Sequence, residues 1–402
     1  MQLTHQGRQA HLTYCTNIHA GESWNEISRS LDQFIPQIKA RLAQSGHAVP
    51  GPFGIGLRLS GEAAATLIEA PVLRAFQAQL ARLGAYVFTI NAFPYGPFHG
   101  TRVKEQVYQP DWRHEERLDF TLCAARILAQ LLPDGVEGSI STVPGAFRDD
   151  GLAAGARIAA QLIRAAAELV ALERGTGKRI VLALEPEPAC MLETVDDVLA
   201  FFGEHLSGHR ACLQLAALAG TTAAQAQLLL RRHLGVCFDV CHAAVEFEDP
   251  MPALHRLHGA GIAVPKIQLS CALRIARMHA GLIEAVERLD DGVYLHQVVV
   301  RGAQLERYTD LPQALAAFRR GQAQGEWRIH CHVPVLMELG GELESTQAQL
   351  RAVLGALGEM EQLPHLEVET YTWDVLPPAF RTGPKAHAIA RELSAVIEAL
   401  AA

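Results

Sequence analysis

The chain has 402 residues, of which 49% are hydrophobic and 19% are charged, a balance typical of a compact globular protein rather than a disordered or fibrous one. Its formal net charge of -8 gives no basic field for attracting phosphate backbones, so we expect no nucleic-acid partner. No apolar run approaches the roughly 20 residues of a membrane span, and the N-terminus lacks the features of a signal peptide, so we expect a cytoplasmic protein without an integral membrane segment.

The pattern of the eight cysteines also favours a cytoplasmic location. They lie mostly within apolar runs, and none forms a C-x-x-C pair. This pattern is typical of reduced thiols in a cytosolic protein rather than of a disulfide framework.

Short runs rich in β-forming residues alternate along the chain with Ala/Leu segments of helical period. Strand followed by helix, repeated eight times, predicts a (β/α)8 TIM barrel formed by one domain over residues 1–402. The predicted barrel strands are residues 11–18, 53–59, 85–93, 138–145, 179–187, 234–240, 266–270 and 365–373.

The chain is longer than the usual barrel of about 250 residues, and two segments account for the excess. Residues 93–116 form a long aromatic and Pro/Gly loop after the third strand, on the side where barrel enzymes carry their chemistry. Residues 271–335 are predicted to insert a hairpin and a further strand, "WRIHCHVPV", between the seventh and eighth barrel strands. No Gly/Ser linker or internal repeat divides the sequence, which favours a single domain.

Polar residues occur where several predicted strands end. The stretch "GVCFDVCH" ends with Asp239 and His242, "LALEPEP" ends with Glu185, and the last strand carries Glu369. Gln268 is the polar residue in the middle of the seventh strand, "KIQLS". In a parallel barrel these strand ends meet around one mouth, although each residue taken alone is equally consistent with a helix cap or a structural hydrogen bond.

Converging carboxylates repel one another and resist burial unless a cation neutralises them. Asp, Glu and His together suit a divalent metal, and "RIHCHV" adds His330 and His332 on one face of an extended strand. The sequence therefore predicts a metal site at the barrel mouth. Zinc or manganese is the expected ion, with magnesium and cobalt as alternatives.

The order of these residues resembles that of the xylose isomerase-like barrels, which include sugar epimerases, hydroxypyruvate isomerases and endonuclease IV. The resemblance implies that Glu185, Asp239, the seventh-strand residue and Glu369 bind the metal. It also implies that His242 orients the substrate or binds a second ion. This chain has Gln268 where the family usually has His, and an amide oxygen is a poorer ligand than imidazole for most transition metals.

Two narrower resemblances follow. The His330-x-His332 pair is similar, in its order along the chain, to additional metal ligands of endonuclease IV, which implies a second ion held by His242, His330 and His332. The stretches "HLTYCTNIHAGESW", "KIQLSCALRI" and "HLEVETYTWDVLP" resemble the metabolite traffic protein family EboE of bacterial secondary-metabolite gene clusters. That second resemblance implies a role in processing or moving a metabolite without specifying a reaction.

Four further residues are candidates for substrate binding. His19 follows the first strand as a pocket wall or as part of a helix-capping cluster, and His99 lies on the long third loop as part of a lid, as a ligand or as a solvated side chain. Arg274 would supply positive charge for an anionic group. Trp373 follows the last strand, beside Glu369.

The leading functional hypothesis is sugar isomerase- or epimerase-like proton transfer on a small metabolite, with Glu185 and Glu369 as the catalytic acid and base. A second hypothesis is phosphoester hydrolysis at two or three metal ions, and a third is a non-catalytic metabolite-binding protein. All three hypotheses imply a small-molecule metabolite as the partner, and each is compatible with a homo-oligomer.

Overall fold

The computed structural model describes residues 1–48, 51–148, 152–335, 342–374, 381 and 383–401. Its strands, numbered in chain order, are β1 Gln2–His5, β2 Arg8–Tyr14, β3 Phe53–Arg58, β4 Ala85–Asn91, β5 Gly138–Thr142, β6 Ile180–Leu184, β7 Leu234–Asp239, β8 Ala263–Leu269, β9 Cys271–Ile275, β10 Val298–Arg301, β11 Leu305–Tyr308, β12 Glu326–Val333, β13 Glu344–Ser345 and β14 His365–Val368.

Eight of these strands form the predicted parallel barrel. Its order is β2-β14-β8-β7-β6-β5-β4-β3, every neighbouring pair is parallel, and a parallel bridge between Cys15 and Gly56 joins the two ends. β1 lies outside this ring as an antiparallel partner of β2. The (β/α)8 fold class expected from the alternating sequence pattern is therefore confirmed.

Helices connect the strands and cover the barrel. Several begin at side-chain caps; for example, Ser23 and Glu26 form a reciprocal capping box at the start of α1. The α-helices are α1 Trp24–Gln44, α2 Gly61–Leu67, α3 Ala70–Leu83, α4 Glu115–Leu131, α5 Gly155–Thr176, α6 Val195–Phe201, α7 His209–Ala219, α8 Ala223–His233, α9 Val240–Val245, α10 Pro250–Gly259, α11 Ile283–Glu287, α12 Leu311–Arg319, α13 Gln347–Ala356 and α14 Lys385–Ala401. Among the described residues, no helix is long and apolar enough to cross a membrane.

Each predicted barrel strand extends past the end of the observed strand, and two of these differences affect the site. The fifth barrel strand ends at Leu184 rather than at residue 187, because Pro186 has no backbone N–H to donate to the sheet. The last strand ends at Val368, and residues Tyr371–Asp374 form a 3-10 helix instead. The chain therefore leaves the sheet just before Glu185 and Glu369, which frees both carboxylates to turn toward the mouth.

The segment between β8 and β14 builds a second sheet. Its five strands are antiparallel in the order β11-β10-β12-β9-β13. β12 carries His330 and His332, and both side chains are buried. The insertion thus brings two histidines to the barrel from outside the eight-stranded ring.

Inside the barrel, below the mouth, lies a buried ion pair. The Nζ atom of Lys266 is 2.6 Å from Oε1 of Glu367, and both side chains are fully buried. A Cβ atom at position 56 would lie 2.0 Å from Oε2 of Glu367, so the pair requires glycine there. This charged layer fills the barrel beneath the candidate site.

Candidate metal centre

Three acidic side chains converge at the carboxyl ends of the barrel strands. Glu185, Asp239 and Glu369 each offer a carboxylate oxygen within 4.8 Å of the others, and all three are buried. Asn17 Nδ2 donates to Glu369 Oε1 at 2.7 Å, and Asn91 Nδ2 donates to the same oxygen at 3.2 Å. We call these three acids the carboxylate group; the structure brings them together as the sequence pattern predicts.

Burial makes this arrangement unfavourable when the acids are ionised. Burial, followed by repulsion from the neighbouring acids, raises the pKa of both Glu185 and Glu369 well above the ordinary value. Burial also opposes ionisation of Asp239, but His242, His332 and the Ser270 hydroxyl outweigh it and lower the pKa of that acid. Oε2 of Glu185 and Oδ2 of Asp239 are buried without a hydrogen-bond partner. A cation would supply the missing charge and the missing partners.

Asp239 uses its two oxygens differently. Oδ1 accepts hydrogen bonds from the backbone N–H of Cys241 at 2.7 Å and of His242 at 3.2 Å, which caps α9. The same oxygen accepts the Ser270 hydroxyl at 2.7 Å, whereas Oδ2 remains without a partner. The cap and the metal ligand are therefore not exclusive alternatives, because each needs only one oxygen.

Beside the carboxylate group, three imidazoles face one another. His332 Nε2 lies 3.0 Å from His330 Nε2 and 3.3 Å from His242 Nε2. Oδ2 of Asp239 lies 3.9 Å from Nε2 of His242 and 4.0 Å from Nε2 of His332. We call the three histidines the trihistidine group; Asp239 is the member of the carboxylate group that lies beside it.

The far side of each imidazole has an oxygen partner. Nδ1 of His242 lies 2.8 Å from the Pro186 carbonyl oxygen, and Nδ1 of His332 lies 3.1 Å from the Glu369 carbonyl oxygen. Nδ1 of His330 lies 2.6 Å from Gln297 Oε1. A carbonyl oxygen can only accept, so these contacts place the proton on Nδ1 and leave the Nε2 lone pairs directed at one another.

Two of the three Nε2 separations can be compared with those of a metal site, and Asp239, His242 and His332 each offer a ligand atom within 4.8 Å of the others. Tetrahedral zinc binds imidazole nitrogens at about 2.0–2.1 Å, which sets ligand atoms about 3.3 Å apart. The observed Nε2 separations of 3.0 and 3.3 Å agree with that spacing. Burial and the neighbouring imidazoles lower the pKa of His330 well below its ordinary value, and burial lowers that of His332 to about 4, which favours the neutral form that a metal ion requires.

A cavity of about 60 Å³, partly open to solvent, lies over both groups. It is lined by Glu185, Glu369 and the three histidines, and also by Asn17, Asn91 and Glu187. At roughly 10–15 Å³ for each water, the cavity holds only a few water-sized groups. A larger substrate would therefore extend beyond this cavity or displace side chains that line it.

Three aromatic rings cover this cavity. Phe98 lies with its ring centroid 5.0 Å from that of Tyr294 and 5.4 Å from that of Tyr371, and the two tyrosine rings are 5.1 Å apart. The Tyr294 hydroxyl donates to the Phe98 carbonyl at 3.0 Å. We call these three rings the aromatic cover; it joins the long third loop, the insertion and the segment after β14.

Two predicted site residues lie away from the cavity lining. Gln268 is buried one layer below the mouth, where its Oε1 accepts from the Cys237 thiol at 3.3 Å. Ser270, two residues later, is the β8-side residue that contacts Asp239. Arg274 lies in β9, where Glu326 and Glu344 pair with its guanidinium. Neither Gln268 nor Arg274 lines the cavity.

The other three predicted substrate-binding residues lie behind the lining. His19 stacks on Phe34 at a centroid distance of 4.0 Å, and Trp373 is buried in the 3-10 helix after β14. His99 Nε2 lies 2.7 Å from the backbone oxygen of Asn17, the residue whose side chain holds Glu369. The structure therefore gives His99 an indirect connection to the site.

Sequence reasoning missed several residues that line the cavity. Glu187 accepts the Tyr108 hydroxyl at 2.8 Å, and its spacing from Glu185 was a usable signal because alternate residues share one face. Lys104 also lines the cavity, with its ammonium 2.7 Å from Asp310. Tyr108 and Lys104 come from a loop without periodicity, so no pattern singled them out.

No family model matches this sequence, and no curated protein is similar to it. Among solved structures, a xylose isomerase-like TIM barrel protein from Mycobacterium smegmatis in complex with magnesium has a TM-score of 0.50 at 10% identity, covering 97% of this chain and 96% of that one. The two chains share the TIM-barrel fold.

Two other similar structures have lower TM-scores. A D-tagatose 3-epimerase-like protein has a TM-score of 0.48 at 11% identity, covering 97% of this chain and 98% of that one. The IolI protein with a bound zinc atom has a TM-score of 0.44 at 11% identity, with coverage of 97% and 98%. At such identities, similarity extends to the fold, and function has to be argued from the residues of this chain.

Proposed function

We propose that this protein is a metal-dependent enzyme in which the carboxylate group and the trihistidine group each bind a divalent cation. The observation that carries the proposal is the convergence of ligand atoms. Oδ2 of Asp239 and Oε2 of Glu185 are buried without a partner, and the Nε2 atoms of three imidazoles held from behind lie beside Asp239 and one another. Apolar packing or hydrogen bonding within the protein would leave fewer such atoms unpaired.

The donor types suggest which ions the two groups select. Three imidazoles with one carboxylate suit zinc, whereas an all-oxygen group suits manganese or magnesium. Gln268 stays outside both groups in this proposal, because its amide contacts Cys237 one layer lower. The Ser270 hydroxyl takes part indirectly, since it directs Asp239 by binding Oδ1.

We further propose proton transfer on a small sugar, polyol or carbonyl metabolite. A bound divalent cation would polarise a carbonyl or hydroxyl oxygen of such a substrate. Glu185 and Glu369 line the cavity, each just beyond the carboxyl end of a different barrel strand, and would remove and return the proton. Asn17 and Asn91 fix the orientation of Glu369, and the aromatic cover excludes water.

Deuterium exchange tests this reaction without knowledge of the natural substrate. We would incubate a panel of aldoses and ketoses with the manganese-loaded protein in D2O and follow loss of carbon-bound protons by NMR. We expect exchange for at least one sugar, and we expect Glu185→Gln and Glu369→Gln to abolish it while the fold is retained. Absence of exchange across the panel, or full exchange by both variants, would rule out proton transfer.

Hydrolysis of a small phosphoester is a second candidate, favoured by the trihistidine group beside the carboxylate group. Two neighbouring ions can stabilise both the attacking and the leaving oxygen of a displacement. Both candidates expect two ions per chain, so elemental analysis tests the two-cation centre that they share, and fewer than two ions per chain would count against it. Turnover of p-nitrophenyl phosphate by the zinc-loaded protein would then decide for hydrolysis.

We also propose a cellular role and location for the protein. The stretches that resemble the EboE family support a role in handling a secondary metabolite, carried out by a cytoplasmic protein with all eight cysteines free. Native mass spectrometry of the purified protein would reveal a retained metabolite. A retained metabolite without turnover in either assay would instead support a non-catalytic binding role.

A further inference from the structure

The trihistidine group is held from behind by three partners of two kinds. His242 and His332 bind the backbone oxygens of Pro186 and Glu369, which every side-chain substitution leaves in place. His330 binds a side chain, the Oε1 atom of Gln297. Gln297 is therefore the one of the three partners whose chemistry depends on the amino acid at its position.

The orientation of the Gln297 amide is set by its other contacts. Its Nε2 lies 3.0 Å from the Tyr108 hydroxyl oxygen, 3.1 Å from the Pro188 carbonyl oxygen and 3.4 Å from Glu187 Oε1. The Tyr108 hydroxyl donates its own proton to Glu187, so its oxygen is free to accept. Three acceptors around one amide nitrogen leave Oε1 as the atom that faces His330.

The backbone strengthens the pairing of Gln297 with His330. The His330 N–H donates to the Gln297 carbonyl at 2.8 Å, immediately beside the paired strands β10 and β12. Gln297 is 1% exposed, so water does not compete for its amide. The insertion therefore carries both a ligand of the trihistidine group and the side chain that holds it.

We propose that Gln297 is a positioning residue for the trihistidine group, and that its amide oxygen fixes His330 in the Nδ1-protonated form with Nε2 directed at the cation. The inference rests on the proposed function, because it requires that the three imidazoles bind a metal. It goes further by assigning part of the metal affinity to a residue that is neither a ligand nor part of the barrel ring. Loss of such a partner typically lowers metal affinity 10–100-fold.

Substitutions of nearly equal size test this assignment in the full-length protein. Gln297→Met removes the acceptor, Gln297→Glu keeps one, and Gln268→Met is the control because Gln268 is a buried glutamine that contacts Cys237 instead. The probe is Co²⁺, whose visible absorption reports tetrahedral imidazole binding, titrated against a competing chelator. Melting temperatures in excess chelator show whether each variant folds without metal.

We expect Gln297→Met to weaken Co²⁺ binding at the histidines about 10–100-fold, Gln297→Glu to restore most of the affinity, and Gln268→Met to leave it unchanged. Equal affinities for Gln297→Met and the wild type would overturn the inference. So would equal weakening by Met and Glu, because that result would show a purely steric role. If the wild type itself binds no Co²⁺ at the histidines, the proposed function fails, and the inference fails with it.

Discussion

Two buried polar layers of the same barrel differ in how their charge is balanced. In the lower layer, Lys266 lies against Glu367 at 2.6 Å, so the protein supplies its own cation. In the upper layer, no lysine or arginine of the described residues pairs with the carboxylate group; Lys104 lines the cavity, but its ammonium is paired with Asp310. The lower layer is therefore complete within the fold, whereas the upper layer depends on a cation from outside.

The largest predicted effect is on stability and comes from a substitution in the lower layer. Lys266→Met leaves Glu367 as a buried charge without its partner, and we expect a loss of about 3–5 kcal/mol in the free energy of unfolding, measured by urea denaturation in chelator. The double variant Lys266→Met/Glu367→Gln removes both charges and should lose less. If the single variant is as stable as the wild type, the internal ion pair does not support the barrel.

The second prediction compares two substitutions at Asp239 in the upper layer. Asn keeps an oxygen to cap α9 but removes the charge, whereas Ala removes both. In chelator, Asp239→Ala should lose about 1 kcal/mol relative to Asp239→Asn because the cap is lost. With metal at 100 times the dissociation constant, the wild type should gain about 2.7 kcal/mol and both variants much less.

Cys237→Ala is the matched control for that comparison, because Cys237 is buried in β7 and contacts Gln268 rather than either ligand group. Its metal content, measured by elemental analysis, should equal that of the wild type. Full metal content in both Asp239 variants under mild chelation would leave Asp239 with the capping role alone.

The pH dependence of metal binding gives a third, smaller effect. The raised pKa values of Glu185 and Glu369 mean that the metal-free protein retains protons that a cation must displace. Affinity should therefore rise with pH, by up to tenfold per pH unit for each proton released. Calorimetry in buffers of different ionisation enthalpy counts those protons, and Glu369→Gln should release fewer than the wild type.

The smallest predicted effect belongs to the N-terminal end of the barrel, far from the mouth. Burial, together with the N-terminal ammonium, lowers the pKa of His11 to about 4, against about 6.5 when unfolded. Its contribution to stability is complete above pH 6.5 and is lost as the pH falls toward 4, since only the unfolded chain takes up the proton.

After allowance for the partial exposure of His11, the free energy of unfolding should fall by about 1 kcal/mol between pH 7 and pH 5. His11→Phe should reduce that pH dependence relative to the wild type when both are unfolded in chelator, where bound metal contributes nothing. An unchanged pH profile would show that His11 does not titrate during unfolding.

The sequence predicted the barrel because alternating strand and helix patterns are local and strong. It also predicted which acids meet, since strand ends in a parallel barrel converge wherever they lie in the chain. It placed Gln268 at the mouth because residue count along a strand does not reveal its height in a tilted barrel; Ser270 reaches Asp239 instead. The roles of Gln297 and Tyr108 depend on contacts between distant segments, which leave no periodic signal.

The aromatic cover affects how quickly the centre exchanges its ions. Phe98, Tyr294 and Tyr371 belong to three separate segments and pack on one another in the lining of the 60 Å³ cavity, so they narrow the path to the buried ligand atoms. We expect slow exchange, with the ion captured during folding retained long afterwards. The metal found in the purified protein would then depend on which ions were available when the chain folded. Refolding the protein with one chosen ion at a time would reveal which ion the centre itself prefers.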